Sequence, residues 1–484
     1  MAKLKLLTAG AMGALGAAAL LTGNAQAQDV GQELVNAVTG GKVHLELRPR
    51  YAHINDEAPS AVNPGHSVRN ANAFTMRSVL GYETGRFYGF GVYAEAINVS
   101  EFGGEAFNDG LTTNRHRKQF AVEADPGTTE INQIYVSYAV PQGTNIGGVD
   151  LGGLSLKYGR QHIALQNHRW IGDVGWRQKP QEYDGGSLTY VGPYGSQLFY
   201  SYVYNVDRPT ANISPDTGRN PKANIGLKAH IINLDLALDH WTHIPAHLIG
   251  YGYLFDFDNN QPVPMSGVLA GQNSSKLSNK TLGVRLDGKL PFTANPDGLS
   301  LLYTGEYAHQ SSYAGGSGQI HGDYIFGQGG LEWYGIHLAG AYELLGGNGR
   351  YAVQTPFQTT HAMNGWADRF AAVIPADGLK DIWVEAGLAT PAFLEQTLGG
   401  ALSGIQVLAR YHNFSSDHDS YHYGNEFDIQ AAKHITEQLS VLLQYADYFG
   451  DSGANTTSHP SLLTGPGNLN KDVQKYWVMA DYKF

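Results

Sequence analysis

Apolar and polar side chains alternate along most of the chain with a period of two residues. In residues 42–51 the apolar positions are Val43, Leu45, Leu47 and Tyr51, and the positions between them are His44, Glu46, Arg48 and Arg50. Successive side chains of a β-strand point to opposite faces, so this pattern predicts strands with one apolar and one polar face. The pattern recurs in residues 279–290, 299–307, 336–343, 381–388 and 405–412.

These segments have the length of membrane-crossing strands, which need roughly 9–11 residues. About nineteen candidate strands lie between Lys42 and Phe484, and single-chain bacterial barrels usually have an even number. We therefore expect an all-β fold, a transmembrane antiparallel β-barrel of eighteen strands, with sixteen or twenty as alternatives.

A soluble β-sandwich or solenoid also alternates and is the competing interpretation of the pattern. Two features favour the membrane barrel. The polar face is repeatedly charged, as at Arg285 and Glu306, which suits a water-filled interior. The apolar face often carries Tyr, as at Tyr303, Tyr307 and Tyr411, which suits the aromatic girdles at membrane interfaces.

The first 27 residues have the pattern of a secretory signal. Lys3 and Lys5 precede an apolar stretch over residues 6–21, and Ala25 and Ala27 flank one residue in the small-x-small pattern of a cleavage site. A short N-terminal membrane helix is the alternative. We expect residues 1–27 to be a signal peptide and residues 28–484 to form a single barrel domain in the outer membrane of a Gram-negative cell.

Composition removes several classes of function. The chain has no cysteine, which excludes disulfides and thiolate chemistry. Its formal net charge is -11, and because phosphate binding wants a basic face, nucleic acid is not an expected partner.

The C-terminal segment ends on an aromatic residue. Tyr476, Val478, Ala480, Tyr482 and the terminal Phe484 share one face of the last predicted strand. This ending looks like the signal that the outer-membrane barrel assembly machinery recognises, and that machinery is an expected partner.

Gly, Asn, Pro and Asp concentrate in long connections between the predicted strands. In outer-membrane barrels the short turns face the periplasm, and the long loops face outside or fold inward. The clearest long connections are residues 55–72, 101–129, 207–222, 258–279, 346–378 and 451–472.

Two stretches resemble the alginate-export family of outer-membrane porins. Residues 158–190 contain a GRQ strand end, an N-x-R-x-I-G turn and a W-R-Q-x-x-Q-x-Y-D segment, and residues 361–370 read HAMNGWADRF. The resemblance covers essentially the whole chain after the signal. It implies a monomeric eighteen-stranded barrel that passes an acidic polysaccharide such as alginate through an arginine-rich pore narrowed by loops. Family relatives with other solutes leave the substrate open.

The predicted lumen carries cations suited to anionic solutes. Arginine stays charged and pairs with carboxylates through two parallel hydrogen bonds. We expect passive passage of anionic small molecules or polysaccharide. The expected pore-lining residues are Arg48, Arg50, Arg77, Lys157, Arg160, Arg169, Arg177, Arg285 and Arg410.

The alternative is a weakly selective general diffusion porin in which these cations merely balance luminal acids. The acids expected on the polar faces are Glu46, Glu95, Asp184, Asp287, Glu306, Glu343, Glu385 and Asp428.

A late loop is expected to form the constriction. Its candidate residues are His361, Asn364, Trp366, Asp368 and Arg369. Trp, Asn and Asp together suit stacking and hydrogen bonding to a sugar. The competing interpretation, which we favour, is a loop packed into the barrel mouth by Trp366 and Phe370 and held by Asn364 and Asp368.

No short catalytic motif occurs, so we do not expect an enzyme, although a barrel enzyme that assembles Ser and His from separate strands is a third hypothesis. Asp417, His418, Asp419 and His422 have ligand chemistry but sit in a predicted loop with nothing to fix their geometry. We expect no metal and no cofactor. Outer-membrane lipid is the remaining expected partner.

Overall fold

The computed structural model describes most of the chain after the predicted signal. The described residues are 27–104, 106–110, 117–210, 213–214, 218–219, 223–264, 266–371, 373–390, 403–454 and 468–484. The predicted signal peptide lies outside them apart from its last residue.

Eighteen antiparallel strands form one closed barrel. Each strand pairs with its neighbours in sequence, and the first strand pairs with the last, where Tyr51 lies opposite Val478. The fold and the strand count expected from the alternation are confirmed. The strands are β1 Lys42–Asp56, β2 Ala71–Glu83, β3 Phe90–Phe102, β4 Thr128–Ala139, β5 Leu154–Gln161, β6 Glu182–Val191, β7 Gln197–Asp207, β8 Asn224–Ala237, β9 Ala246–Phe257, β10 Asn279–Pro291, β11 Ser300–Ser312, β12 His321–Trp333, β13 Ile336–Leu345, β14 Leu379–Ala389, β15 Ile405–Ser415, β16 His422–His434, β17 Leu439–Gly450 and β18 Val473–Lys483.

Helices are few. Helix α1 spans Ala27–Thr39, and the single-turn helix α2 spans Asp239–Thr242. Neither helix, nor any other in the described residues, is long and apolar enough to cross a bilayer. Shorter elements are the 3₁₀ turns Pro193–Gly195, Gly267–Leu269 and Ser274–Leu277, and the two-residue strand pairs Asn145–Ile146 with Val149–Asp150 and Ile213–Ser214 with Gly218–Arg219.

The predicted apolar faces point outward. Leu80, Leu282 and Val384 are each at least half exposed, whereas Arg285 and Asp381 on the opposite faces are buried. A surface of exposed Leu, Val and Tyr around a closed barrel is the surface that lipid covers in outer-membrane proteins.

The two rims of the barrel differ in their connections. One rim carries short turns such as residues 84–89 and 334–335, and we call it the periplasmic rim because short turns face the periplasm in such barrels. The other rim carries most of the long loops, and residues 140–153 and 390–404 are the longer connections of the periplasmic rim. All six expected long connections lie at the long-loop rim, with boundaries shifted by a few residues at most, and the structure adds a seventh, residues 162–181.

Candidate functional site

Two of the long loops fold into the barrel and contact each other. Loop A, residues 162–181, joins β5 to β6, and loop B, residues 346–378, joins β13 to β14. The Gly172 amide donates to the Phe357 carbonyl at 2.9 Å, and the Thr359 amide donates to the His168 carbonyl at 3.0 Å. The two loops therefore form one internal layer that narrows the lumen.

Loop A is held by its cations. Arg169 forms an ion pair with Glu343 of β13, and Arg177 pairs with Glu123 at 3.3 Å and with Asp368 of loop B at 3.0 Å. Burial works against the charged form of Arg177, but the two carboxylates outweigh it and raise the pKa of the guanidinium. These cations are thus fixed anchors between the loop and its surroundings.

Backbone amides of loop B bind carboxylates of the barrel wall. The Trp366 amide donates to Asp428 at 3.2 Å and the Ala367 amide donates to Glu426 at 2.6 Å, both on β16. Gly365 precedes them with a φ of 84°, and a Cβ there would lie 2.3 Å from Glu426 Oε2. A side chain there would have to displace the Glu426 carboxylate, and the positive φ also favours glycine.

Asp368 fastens loop B to β18, two strands away from β16. Its carboxylate lies 3.0 Å from the Lys475 ammonium on β18 as well as from Arg177. Burial alone would raise the pKa of Asp368, but Lys475 and Arg177 outweigh burial and hold that pKa well below its usual range. The carboxylate stays charged and bound.

Aromatic packing also joins the two loops. The rings of Trp176 and His361 stack in parallel with centroids 4.1 Å apart, and Trp477 of β18 meets His361 edge-on at 5.0 Å. His361 Nε2 lies 2.8 Å from the Gln444 side-chain oxygen. Burial lowers the pKa of His361, so the ring is neutral in this layer.

A third long connection also reaches inward. Glu123 and Asp125 of residues 103–127 are fully buried, and both contact the guanidinium of Arg50 on β1. Arg50 also donates to the Trp176 carbonyl of loop A at 2.7 Å.

A cavity of about 590 Å³ lies where loops A and B face the barrel wall. Arg48 and Arg410 supply its positive charge, and a single carboxylate, Asp173, is found among its described lining residues. Indole faces and amide groups make up much of the remainder. The lining comprises Arg48, Gln166, Asn167, His168, Asp173, Gly175, Trp176, Thr359, His361, Ala362, Trp366, Arg410, Gln430, Gln444 and Met479.

The nine cations expected to line the pore fall into two groups. Arg50 and Arg169 are 1% exposed, and with Arg177 they face carboxylates and loop atoms, not open lumen. For these three, the structure corrects the expected solute-facing position, because inward loops cover them. Of the remaining six, all but Arg160 lie on strand faces that point into the barrel. Arg160 shares the face of the exposed Leu156 and Tyr158 on β5, which corrects its expected place in the lumen.

Five of those six are paired with acids of the wall. Arg160 contacts Asp184 and Asp207 at 2.8 and 2.6 Å, and Arg285 contacts Asp287 and Glu306, both at 2.7 Å. Lys157 is exposed and lies 4.7 Å above the ring of Tyr135. The other pairs are Arg48 with Glu46 and Asp481, Arg77 with Glu46, and Arg410 with Glu385.

The five expected constriction residues all lie in loop B inside the barrel. Asn364 donates to Glu343 at 2.7 Å and to Asp381 at 3.1 Å, and Arg369 pairs with Asp56 at 2.9 Å. Trp366 and Phe370 are buried. This arrangement matches the packing interpretation of the loop, and it also narrows the pore.

Several cavity residues were not singled out from the sequence. Trp176 stands in the motif segment of loop A, but nothing local shows that this segment turns inward. Gln430 and Gln444 lie on inward strand faces. The sequence could have indicated them, because both are polar residues at positions that the alternation assigns to the lumen.

The discounted metal candidates separate in the structure. Asp417 pairs with Lys380 and His422 with Asp451. His418 Nδ1 instead lies 3.3 Å from both Asp377 and Asp419, and these three could offer ligand atoms within 4.8 Å of one another. His418 and Asp419 are exposed, and ion pairing accounts for the arrangement.

Comparison with known proteins shows the fold. A scan against protein-family models finds no match, and a search of curated proteins also finds none. Solved structures do match over nearly the whole chain. Pseudomonas aeruginosa OccK9 (OpdG) aligns with a TM-score of 0.62 and 13% identity, covering 93% of this chain and 99% of that one.

Two further structures give the same result. A BenF-like porin from Pseudomonas fluorescens Pf-5 aligns with a TM-score of 0.61 and 11% identity, covering 93% and 99% of the two chains. Pseudomonas aeruginosa OpdK, solved with vanillate, gives 0.59 and 12% over 92% and 99%. The fold is that of outer-membrane porins, and together with the lipid-facing surface it places the chain in the outer membrane of a Gram-negative cell.

Proposed function

We propose that this protein is a passive outer-membrane channel, narrowed by loops A and B, for small solutes that carry a carboxylate. The observation that supports it is the cavity beside the two loops, to which Arg48 and Arg410 contribute positive charge. Channel selectivity arises from such fixed charges at a narrow point.

Arg48 holds an oriented guanidinium at the cavity. It donates to the Gly175 carbonyl at 2.8 Å and to Asp481 at 3.0 Å, and Glu46 lies 3.1 Å away. A solute carboxylate would compete with Asp481 for a guanidinium that is already oriented.

The similar structures support a small organic acid. OpdK was solved with vanillate, which joins a carboxylate to an aromatic ring. The cavity offers the same complementarity, since the half-buried Trp176 presents aromatic surface and Arg48 and Arg410 present charge. The structures similar in fold include a porin, and no observation here favours an enzyme.

The sequence resemblance suggests a finer proposal, an acidic oligo- or polysaccharide such as alginate. Its two motif segments are the ones that build loops A and B. A polyuronate presents one carboxylate per sugar unit, so it would meet the same two arginines in succession.

A weakly selective diffusion pore is the second candidate. It is favoured by the pairing of luminal cations with wall carboxylates, as in Arg410 with Glu385. In that case the charges set a transverse field and contribute little net preference for anions.

Reversal potentials in planar bilayers under a salt gradient separate the two candidates. We expect the native channel to prefer anions and to be blocked by vanillate or by a polyuronate. The double variant Arg48→Gln/Arg410→Gln should lose most of that preference, whereas Lys228→Gln, which removes an exposed cation from the outer face of β8, should not. No anion preference in the native channel would overturn the proposal in favour of the diffusion pore.

Assembly and oligomeric state are part of the proposal. Phe484 is exposed at the end of β18, where its amide donates to the Leu45 carbonyl at 2.9 Å. We propose that the barrel assembly machinery recognises this residue and that the channel works as a monomer. Deleting Phe484 should lower the yield of membrane-inserted barrel, and an unchanged yield would contradict it.

A further inference from the structure

Helix α1 sits against the outside of the barrel at the periplasmic rim. The Tyr82 hydroxyl donates to the Val38 carbonyl, and the Gly85 amide donates to the Ala37 carbonyl at 2.8 Å. Tyr82 lies opposite Val43 in the β1–β2 pairing, and Val43 is exposed on the lipid-facing side. The end of the helix is therefore fastened to the outward face of the wall, not to the lumen.

The helix is amphipathic with a broad apolar face. At 100° per residue, its apolar side chains cover one continuous arc, and its polar side chains cover the other. The apolar arc contains Val30, Leu34, Val35, Ala37 and Val38, and the polar arc contains Gln32, Glu33, Asn36 and Thr39.

Only one side of the apolar arc is covered by protein. Ala37 and Val30 pack against Phe87 and Phe90 of the adjoining turn and strand. Phe90 faces outward, with its ring 4.6 Å from that of its cross-strand partner Tyr138. The other side of the arc, formed by Leu34, Val35 and Val38, is exposed.

The exposed side continues the surface that lipid covers. Two glycines separate the helix from β1, whose first outward residue is the exposed Val43. Val35 and Val38 are therefore exposed beside the outward face of the barrel wall that carries Val43. The polar arc lies on the opposite side of the helix from the apolar arc, so one face of the helix suits lipid and the other suits water.

We propose that α1 is an interfacial anchor whose Leu34, Val35 and Val38 side chains insert into phospholipid of the periplasmic leaflet beside the barrel. Helices with a large apolar face that lie in the interface plane bind by burying that face at the boundary of headgroups and acyl chains. The helix has no Lys or Arg, so its binding does not depend on anionic headgroups. The proposal rests on the membrane location and not on the solute of the channel.

The absence of native cysteine makes a direct test simple. Single nitroxide labels at Val35→Cys and Val38→Cys are compared in barrels reconstituted in phosphatidylcholine–phosphatidylethanolamine vesicles. The readout is collision with oxygen, which concentrates in lipid, against collision with a water-soluble nickel chelate. Leu80→Cys, on the lipid face of β2, is the lipid reference, and Gln32→Cys, on the polar arc, is the water reference.

The expected ratio of oxygen to nickel collisions at positions 35 and 38 is several-fold above that at position 32 and approaches that at position 80. A ratio equal to that at position 32 would overturn the proposal. Spin–spin broadening at position 35 that vanishes on dilution with unlabelled barrel would also overturn it, because a second copy would then cover the face. Val30 and Ala37 make the helix–barrel contact, so the labelled sites leave that contact intact.

Discussion

Charged side chains face the lumen at both ends of the barrel, but they serve different purposes. Toward the long-loop rim, Arg50 and its partners Glu123 and Asp125 have fully buried side chains. Toward the periplasmic rim, the side chains of Lys289 and Glu332, 2.5 Å apart, remain 47% and 38% exposed. The two-residue alternation places Arg50, Lys289 and Glu332 on inward strand faces, whereas Glu123 and Asp125 come from an inward-folded connection.

The difference shows that the loops, and not the residue types, decide what a luminal charge does. An exposed ion pair contributes about 0–1 kcal/mol, because water and salt screen it. Removing one member of a buried pair costs about 3–5 kcal/mol, because the other charge is left without a partner in a dry site. Cations under the loops are therefore structural, whereas an exposed cation such as Lys289 contributes little to stability.

The largest effect is expected from removing loop B from the lumen, because this exposes the charges that the loop covers. Replacing residues 357–370 with a short Gly-Ser linker takes away the Asp368 anchor and half of the internal layer. Single-channel conductance should rise at least about twofold, because pore diameter sets conductance at the narrowest point.

Excising residues 314–318, in the connection between β11 and β12, is the matched control and should leave conductance nearly unchanged. Equal conductance of the loop B variant and the native channel would show that the two loops do not form the constriction.

The second change tests a single buried anchor. Arg169→Met leaves Glu343 buried without its cation, and we expect a loss of about 3–5 kcal/mol in the stability of the loop layer. Urea titration followed by Trp fluorescence should show loosening at lower denaturant than in the native protein. The double variant Arg169→Met/Glu343→Gln removes both charges, and it should recover part of the loss.

The same type of change near the periplasmic rim should have little effect on stability. Lys289→Met removes a cation from a pair that is more than a third exposed, so the stability loss should be about 0–1 kcal/mol after screening. Urea titration under identical conditions measures it. A stability loss as large as that of Arg169→Met would contradict the distinction between ion pairs buried under the loops and exposed pairs near the periplasmic rim.

Local pattern was enough to predict the barrel. The alternation through residues 42–51 places Val43 outside and Arg48 and Arg50 inside, as the structure has it. A slip of one residue would expose every charge to lipid, so the register is strongly determined. Helix α1 was missed because its 3.6-residue period stands alone beside a chain dominated by a period of two.

The site could not be predicted in the same way. Arg48 and Arg50 are two residues apart on one strand face, and the alternation treats them alike. Arg48 lines the cavity, whereas Arg50 is covered by Glu123, Asp125 and Trp176, which lie far along the chain. Which cation stays accessible depends on where distant loops fold, and a local pattern carries no information on that.

The smallest expected effect is the response of the channel to pH, and it distinguishes His361 from Asp368 in loop B. Burial lowers the pKa of His361, so loop B released from the layer takes up a proton more readily than loop B in place. As pH falls through about 6.5, the ordinary value for His, release is increasingly favoured. The pKa of Asp368 is held well below its usual range, so its contribution is present above about pH 3.9 and is lost only below that.

Between pH 7.5 and pH 5, protonation of His361, and not of Asp368, therefore shifts the equilibrium between loop B in place and loop B released. We expect current fluctuations of the open channel to become a few-fold more frequent at pH 5. His361→Gln keeps a side chain able to bond Gln444 but cannot take up the proton, and it should abolish most of the pH dependence. His168→Gln, at a partly exposed site lining the same cavity, should retain it. Fluctuations that respond to pH equally in both variants would place the titrating group elsewhere and leave the neutral, stacked His361 with a packing role alone.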